Sequence, residues 1–377
     1  MANIRLKNVT KNYKNVNALN QINLEIKDKE FFVLFGPAGA GKTTMLKVIA
    51  GIELHQMGDV EFDGKNMNLV EPADRNVSMV FENYALYPHM TVYDNIASPM
   101  RSPLYKEKEE YIKKEVHRVS SMMGIDHLLD RLPRQCSNGQ RQRVALGRAL
   151  VRKPRVFLMD EPLAHLDAKL KNLMRTELKG MQQEFDATTI YVTHDYLEAL
   201  SLGDRIGIIN EGQLIQIATG DEVYYSPANE FVAKLVGEPE INIFKSEIVK
   251  CDDTYKVLLG GELQPVEEDV LKVLLEKDLD YVDVGIRGNN IEFSLEKGDD
   301  SFVEGSVYSL EPIGNKSILI VKVEEELIRL IAPNDLQVEL DSKIFIKFDM
   351  KNAMYFEHKS KEFITRHNIE SLIGVSK

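Results

Sequence analysis

The run Gly36-Pro37-Ala38-Gly39-Ala40-Gly41-Lys42-Thr43 fits G-x-x-x-x-G-K-[ST], a pattern that carries phosphate chemistry. Glycines let backbone N–H groups approach and wrap phosphate oxygens, and the start of a following helix adds partial positive charge. Lys42 supplies a point charge to β- and γ-phosphates, and the Thr43 hydroxyl suits Mg²⁺. A second group, Asp160-Glu161, closes the apolar run Val156-Phe157-Leu158-Met159. A buried strand there delivers Asp160 to its C-terminal end, where ligands of open α/β sheets bind. Asp160 would hold Mg²⁺ directly or through water, and Glu161 would polarise an attacking water as general base. The same pair also reads as an acidic cap on a turn.

These groups need elements to position them. Residues 31–35 are a short, wholly apolar run, as a strand buried on both faces requires. Residues 43–50 then read as helix. Residues 156–159 and 189–192 are further buried strands, and helical patterns cover 106–123 and 168–185. Strand–helix–strand order predicts an α/β fold with a parallel sheet covered by helices. Near Gly237-Glu238-Pro239-Glu240 the texture changes. Short alternating runs follow at 244–249, 281–286, 306–310, 317–323, 327–331 and 344–348, punctuated by Gly, Asn and Asp. That pattern predicts a small all-β barrel or sandwich, interrupted by one helix over 267–275. The domain boundary is placed near residue 238. No internal repeat or low-complexity segment is apparent.

Composition narrows the classes. The 377 residues are 44% hydrophobic and 28% charged, an ordinary globular balance. A formal charge of −12 makes a poor general binder of nucleic acid or anionic lipid. Two cysteines, Cys136 and Cys251, argue against a disulfide scaffold and suit a reducing cytosol. The first six residues alternate like a strand, and no apolar run reaches about 18 residues. The expectation is a chain that neither spans a membrane nor carries a secretion signal, so that any membrane role comes through a partner.

The segment Ser137-Asn138-Gly139-Gln140-Arg141-Gln142-Arg143-Val144-Ala145-Leu146-Gly147-Arg148-Ala149 resembles the signature motif of ABC-type ATPases. Other elements of that family follow in its order. Leu163-Ala164-His165-Leu166-Asp167 looks like the D-loop, and Val192-Thr193-His194-Asp195 like the switch-histidine segment. Tyr13 sits where the family stacks an aromatic ring on adenine. The segment from Val80-Phe81-Glu82-Asn83-Tyr84-Ala85 through Leu86-Tyr87-Pro88-His89-Met90-Thr91-Val92 is similar to a loop of carbohydrate importer ATPases of the maltose and glycerol-phosphate type. Those subunits carry an extra C-terminal β domain.

The resemblance implies an α/β P-loop ATPase domain over 1–237, with a helical subdomain at about 84–150, and an all-β, OB-like regulatory domain over 238–377. It implies ATP and Mg²⁺ as ligands. Tyr13, Gly36, Pro37, Ala38, Gly39, Ala40, Gly41, Lys42, Thr43 and Thr44 would hold the chain's own nucleotide. Ser137, Gly139 and Gln140 would reach the γ-phosphate held by a second ATPase subunit, in a homo- or heterodimer. Thr43, Glu82 and Asp160 would ligate the metal; Glu161 and His194 would be catalytic. The segment from Tyr84 to Met90 would receive transmembrane permease subunits, with an extracytoplasmic solute-binding protein acting indirectly. The place implied is the inner face of the cell membrane, the task import of a sugar or related small solute, and nucleic acid is not a partner. Taken singly, His194 also reads as a polar surface residue, Tyr13 as packing, and Phe81, Tyr84 and Tyr87 as core.

Three positions depart from the family. Glu82 stands where Gln is usual, Asn138 where glycine is usual and Cys136 where Leu is usual. A carboxylate still ligates Mg²⁺ but adds negative charge beside a triphosphate. Asn tolerates left-handed backbone, so the loop is expected to survive, but the Asn138 side chain would crowd close approach to the γ-phosphate. One reading is neutral change; the other is a heterodimer in which this chain lends a weakened signature, or a regulatory subunit. A nucleic-acid-remodelling ABC ATPase is a further class, opposed by the acidic charge and by the lack of a coiled-coil insertion or tandem ATPase domain.

Overall fold

The five side chains of the run at 31–35 are all buried, so a strand there must lie inside a sheet covered on both faces. Each such burial contributes about 1.5–3 kcal/mol. The computed structural model describes residues 2–251, 254–277, 279–298 and 301–373. It divides into two units, Met1–Gly220 and Asp221–Lys377.

The first unit begins with β1 (Ile4–Tyr13) and β2 (Val16–Ile26), then β3 (Phe31–Phe35), α1 (Lys42–Ala50), β4 (Met57–Phe62), β5 (Lys65–Asn66) and β6 (Val77–Val80). Three helices follow, α2 (Val92–Arg101), α3 (Glu109–Met122) and α4 (Asn138–Leu150). The unit continues with β7 (Val156–Asp160), α5 (Ala168–Phe185), β8 (Thr188–Thr193), α6 (Tyr196–Leu202), β9 (Arg205–Asn210) and β10 (Gln213–Ala218). The central sheet has the order β10-β9-β3-β8-β7-β6, parallel except for β10. An antiparallel sheet β2-β1-β4-β5 shares its core: Ile4, Leu6 and Phe62 pack with Leu34, Met45, Leu46 and Leu158. This is the expected parallel α/β sheet. The helix expected over 106–123 is three residues shorter at its start.

Arg75 fastens this core. Its buried guanidinium donates to the carbonyls of Val70, Val48, Ile49 and Met67 at 2.6–3.1 Å. Two of those acceptors, Val48 and Ile49, are end carbonyls of α1, which lack partners within the helix.

The second unit starts within α7 (Gly220–Tyr225) and continues through α8 (Glu230–Leu235), β11 (Asn242–Cys251), β12 (Thr254–Leu259), β13 (Glu262–Pro265), α9 (Glu268–Glu276) and β14 (Tyr281–Ile286). Then come β15 (Ile291–Ser294), β16 (Val303–Ile313), β17 (Lys316–Val323), β18 (Glu326–Pro333), β19 (Lys343–Phe348), β20 (Met354–Glu357), β21 (Phe363–Arg366) and α10 (Ile369–Leu372). Two antiparallel sheets, β13-β12-β11-β14-β20-β21 and β15-β19-β16-β17-β18, enclose one apolar core that includes Phe244, Val284, Leu319, Ile346 and, from α9, Leu274. The alternating texture therefore does mark an all-β region, interrupted by α9.

A charged cluster lies within this unit. Buried Asp283 of β14 meets Lys361, and its Oδ1 lies 2.8 Å from His358 Nδ1. Glu230, at the start of α8, approaches Lys361 Nζ at 3.3 Å and Lys234 Nζ at 3.8 Å. Burial and neighbouring Asp283 push the Glu230 carboxyl above its ordinary range. Burial opposes the Asp283 carboxylate, yet hydrogen bonds from Glu230, Lys361 and His358 hold it below its ordinary value.

Candidate functional site

β3 ends at Phe35 and hands the chain to the glycine-rich loop, which closes into α1. Two glycines are obligatory on geometry. A Cβ on Gly36 would stand 2.1 Å from the Ile209 carbonyl oxygen. Gly41 has φ +107°, and a Cβ there would stand 2.4 Å from the Ala18 oxygen. Gly41 is also the N-cap of α1, and no side chain caps the first N–H groups of that helix, an arrangement suited to an anion. The turn between β9 and β10 braces the loop: Gly212 N–H donates to the Ala40 carbonyl at 3.0 Å. Glu211 and Gly212 both have positive φ, as a two-residue hairpin turn demands.

Buried Lys42 points its ammonium back over the loop, donating to the Gly36 and Pro37 carbonyls at 2.9 and 2.8 Å. Burial lowers its pKa, while Glu161, Asp160 and Glu82 raise it in opposition. Thr43 Oγ1 donates to Asp160 Oδ1 at 3.0 Å, joining the loop to the end of β7. Asp160 is 2% exposed, and its carboxyl is pushed up to about 6, first by burial and then by the charges of Glu82 and Glu161.

Glu161 follows immediately with φ +47°. Its N–H donates to the Val192 carbonyl at 3.0 Å, which fixes the backbone in this rare conformation. The side chain meets His194, with Nδ1 at 3.0 Å from Glu161 Oε2. His194 itself is held by its segment. Asp195 caps α6 through the N–H groups of Leu197 and Glu198, and buried Glu198 accepts from both Thr193 Oγ1 and Tyr191 Oη at 2.8 Å.

Most of the loop, with Glu82, Glu161 and His194, opens on a cleft of about 690 Å³, within the range of small-molecule sites, while Gly36, Pro37, Ala40 and buried Asp160 lie behind its lining. Ala38, Gly39, Gly41, Lys42, Thr43, Thr44, Glu82, Glu161 and His194 line it. So do Val16, Asn17, Ala18, Glu211 and Gly212, which sequence reading did not single out. The sequence Asn210-Glu211-Gly212 carries a hairpin-turn signal, but only the fold places that turn beside the loop. Tyr13, 39% exposed at the end of β1, is not among the lining residues, although its register partner Val16 is. The Lys11 ammonium lies 4.6 Å from the Tyr13 ring centroid.

Ser137, Gly139 and Gln140 do not line that cleft. They form the start of α4. Ser137 Oγ accepts from Gln140 N–H at 3.3 Å, and Gln140 Oε1 accepts from Ser137 N–H at 2.9 Å, a reciprocal cap. Asn138 is the first helical residue and has no positive φ, so the tolerance of Asn for left-handed backbone is not used there. Its Oδ1 instead accepts from Arg141 Nη2. A glycine's conformational freedom is not used at this position. A second hollow of about 740 Å³ joins Glu82, Tyr84, Pro88, Asn138, Arg141 and His165.

The profile of a family described as ABC transporter matches residues 19–164. The trehalose/maltose import ATP-binding protein MalK of Thermococcus litoralis is 41% identical to this chain, over 95% of the chain and 98% of the relative. The oligosaccharides import ATP-binding protein MsmX of Bacillus subtilis is 40% identical over 96% and 99%. The sn-glycerol-3-phosphate import ATP-binding protein UgpC of Psychromonas ingrahamii is 37% identical over 97% and 96%. Among solved structures, a dimeric ATP-binding cassette in a post-hydrolysis state with ADP and Pi aligns at TM-score 0.54 and 31% identity. It covers 57% of this chain and 98% of that one.

Proposed function

The chain belongs to the ABC transporter family as an ATPase subunit of an importer, and from that membership we propose how its residues do the work. The observation that carries the reading is the meeting of Thr43 with Asp160, and of Glu161 with His194, at one phosphate-loop cleft. Lys42 and the first N–H groups of α1 hold the β- and γ-phosphates. The buried, proton-hungry Asp160 beside the Thr43 hydroxyl, with Glu82 nearby, is an oxygen donor set that fits Mg²⁺. When bound, the ion supplies charge neutralisation between phosphate oxygens. Glu161 accepts the proton of the attacking water, and His194 steers Glu161 and the γ-phosphate.

The chain acts as a dimer, each copy lending Ser137, Gly139 and Gln140 to the partner's ATP. ATP draws the pair together and hydrolysis lets it reopen, a closure driven by contacts with the γ-phosphate. The segment from Tyr84 to Met90 passes this movement to transmembrane permease subunits, with the chain peripheral on the cytoplasmic face. The solute is a sugar or related small molecule, delivered by an extracytoplasmic binding protein. Residues 1–237 form the ATPase domain, with the helices of about 84–150 as its subdomain, and 238–377 an OB-like regulatory domain. The intact catalytic pairs speak for a working subunit over the alternative of a weakened one.

The test is phosphate release by the purified full chain with MgATP, together with its size by light scattering in the Glu161→Gln variant. Mg²⁺-dependent release and ATP-driven dimers are expected. Absent release and absent ATP binding would overturn the reading.

A further inference from the structure

Tyr84 and Ala85 have φ +64° and +43°, two consecutive side-chain-bearing residues in left-handed backbone. Such residues are strained by about 1–3 kcal/mol each and persist only when their surroundings hold them. What holds them comes from α4. Arg148 Nη1 donates to the Ala85 carbonyl at 2.8 Å, and Nη2 to the Tyr84 carbonyl at 2.9 Å. Its guanidinium also lies 5.5 Å from the Tyr87 ring centroid. One planar fork thus bridges two successive carbonyls with two separate nitrogens in a fixed geometry.

The far end of the segment is held by α2. Asn95, fully buried, donates to the carbonyls of Tyr87, Met90 and Thr91 at 3.0–3.1 Å and accepts from Tyr87 N–H at 2.8 Å. All these bonds go to backbone, so they fix the path of residues 84–91 whatever its side chains. The Tyr84 ring meets His165 edge-on, with centroids 5.8 Å apart. The helix that carries Arg148 is the one that begins at Ser137.

We infer that Arg148 is a positioning residue: it latches the strained Tyr84–Ala85 backbone to α4, so that residues 84–91 and the Ser137 end of that helix move as one body. Arg148 lines no part of the ATP cleft. The inference rests on the reading that Ser137 serves the partner's ATP and that residues 84–90 face the permease.

Amide hydrogen exchange of the full chain tests it, in the Glu161→Gln background with and without MgATP. In that parent, MgATP should slow exchange at 138–141 and at 84–91 together. Adding Arg148→Ala should leave ATP affinity within about twofold and the response at 138–141 in place. Residues 84–86 should exchange about tenfold faster or more, as loss of two carbonyl hydrogen bonds implies, and should stop responding to MgATP. Arg148→Lys, with one donor head for two carbonyls, should fall between, and it decides the matter if the Ala variant does not fold. Unchanged exchange at 84–86 in both variants overturns the latch. If 138–141 ignores MgATP even in the parent, the dimer reading fails instead, and the basal exchange of 84–86 still decides the latch.

Discussion

Replacing Glu161 by Gln changes one chemical property and spares the geometry. The Gln side chain has the same reach, and its oxygen can accept from His194 Nδ1 at the 3.0 Å seen for Glu161 Oε2. The backbone bond from residue 161 to the Val192 carbonyl, 3.0 Å, does not involve the side chain. The φ of +47° strains Glu and Gln alike. Lys42, Thr43 and the loop glycines are untouched, so ATP binding should stay within about twofold. What is lost is proton acceptance. General-base catalysis contributes about 10²–10⁴-fold, so kcat should fall by that factor, or about 2.7–5.4 kcal/mol at 1.36 kcal/mol per tenfold. Phosphate release under single-turnover conditions, with nucleotide binding titrated in parallel, separates the two effects. Glu161→Asp is the control, because it keeps the carboxylate but withdraws it by about one bond, roughly 1.5 Å. Turnover within about threefold of the parent for Glu161→Gln, alongside a larger loss for Glu161→Asp, would refute the assignment of Glu161 as base.

Lys42→Met removes the ammonium that sits over the loop and should weaken ATP binding by about 10–150-fold, as loss of a charged hydrogen bond implies, measured by titration with labelled ATP. Arg75→Met strips donors from four carbonyls around a buried guanidinium and should destabilise the first unit by about 3–5 kcal/mol, read from its denaturant midpoint. Glu230→Gln keeps a donor toward Asp283 and removes a buried acid whose pKa is raised. Glu230's own contribution to stability is present below the unfolded carboxylate value, about 4.3, and is lost as pH rises through its higher folded value. The variant should therefore show a flatter pH dependence of Tm above about pH 4 and match or exceed the parent near pH 7. A steeper dependence would refute the upward shift of the Glu230 carboxyl.

Legibility in the sequence followed distance along the chain. The phosphate loop is contiguous, and its flanking strand and helix announce themselves through an apolar run and a helical pattern. The cap at Ser137 and Gln140 spans four residues and was equally accessible. At Asn138 the tolerance of Asn for left-handed backbone has no part to play, because the reciprocal Ser137–Gln140 cap starts the helix there with regular backbone. Glu198 went unnoticed because its role depends on burial against Tyr191 and Thr193, and a lone Glu on a short helix carries no such signal.

Residue types and local order were thus decided by the sequence alone: a loop that can wrap phosphates, an acidic pair at the end of a buried strand, and an all-β tail. Only the tertiary structure decided which groups meet. Thr43 and Asp160 are 117 positions apart, and Arg148 and Tyr84 are 64 apart. Their contacts exist because parallel strands bring distant chain ends to one edge and because helices pack side by side. Burial then gives those contacts their chemistry. Water would leave Asp160 an ordinary carboxylate, but burial beside the charges of Glu82 and Glu161 pushes its carboxyl up to about 6.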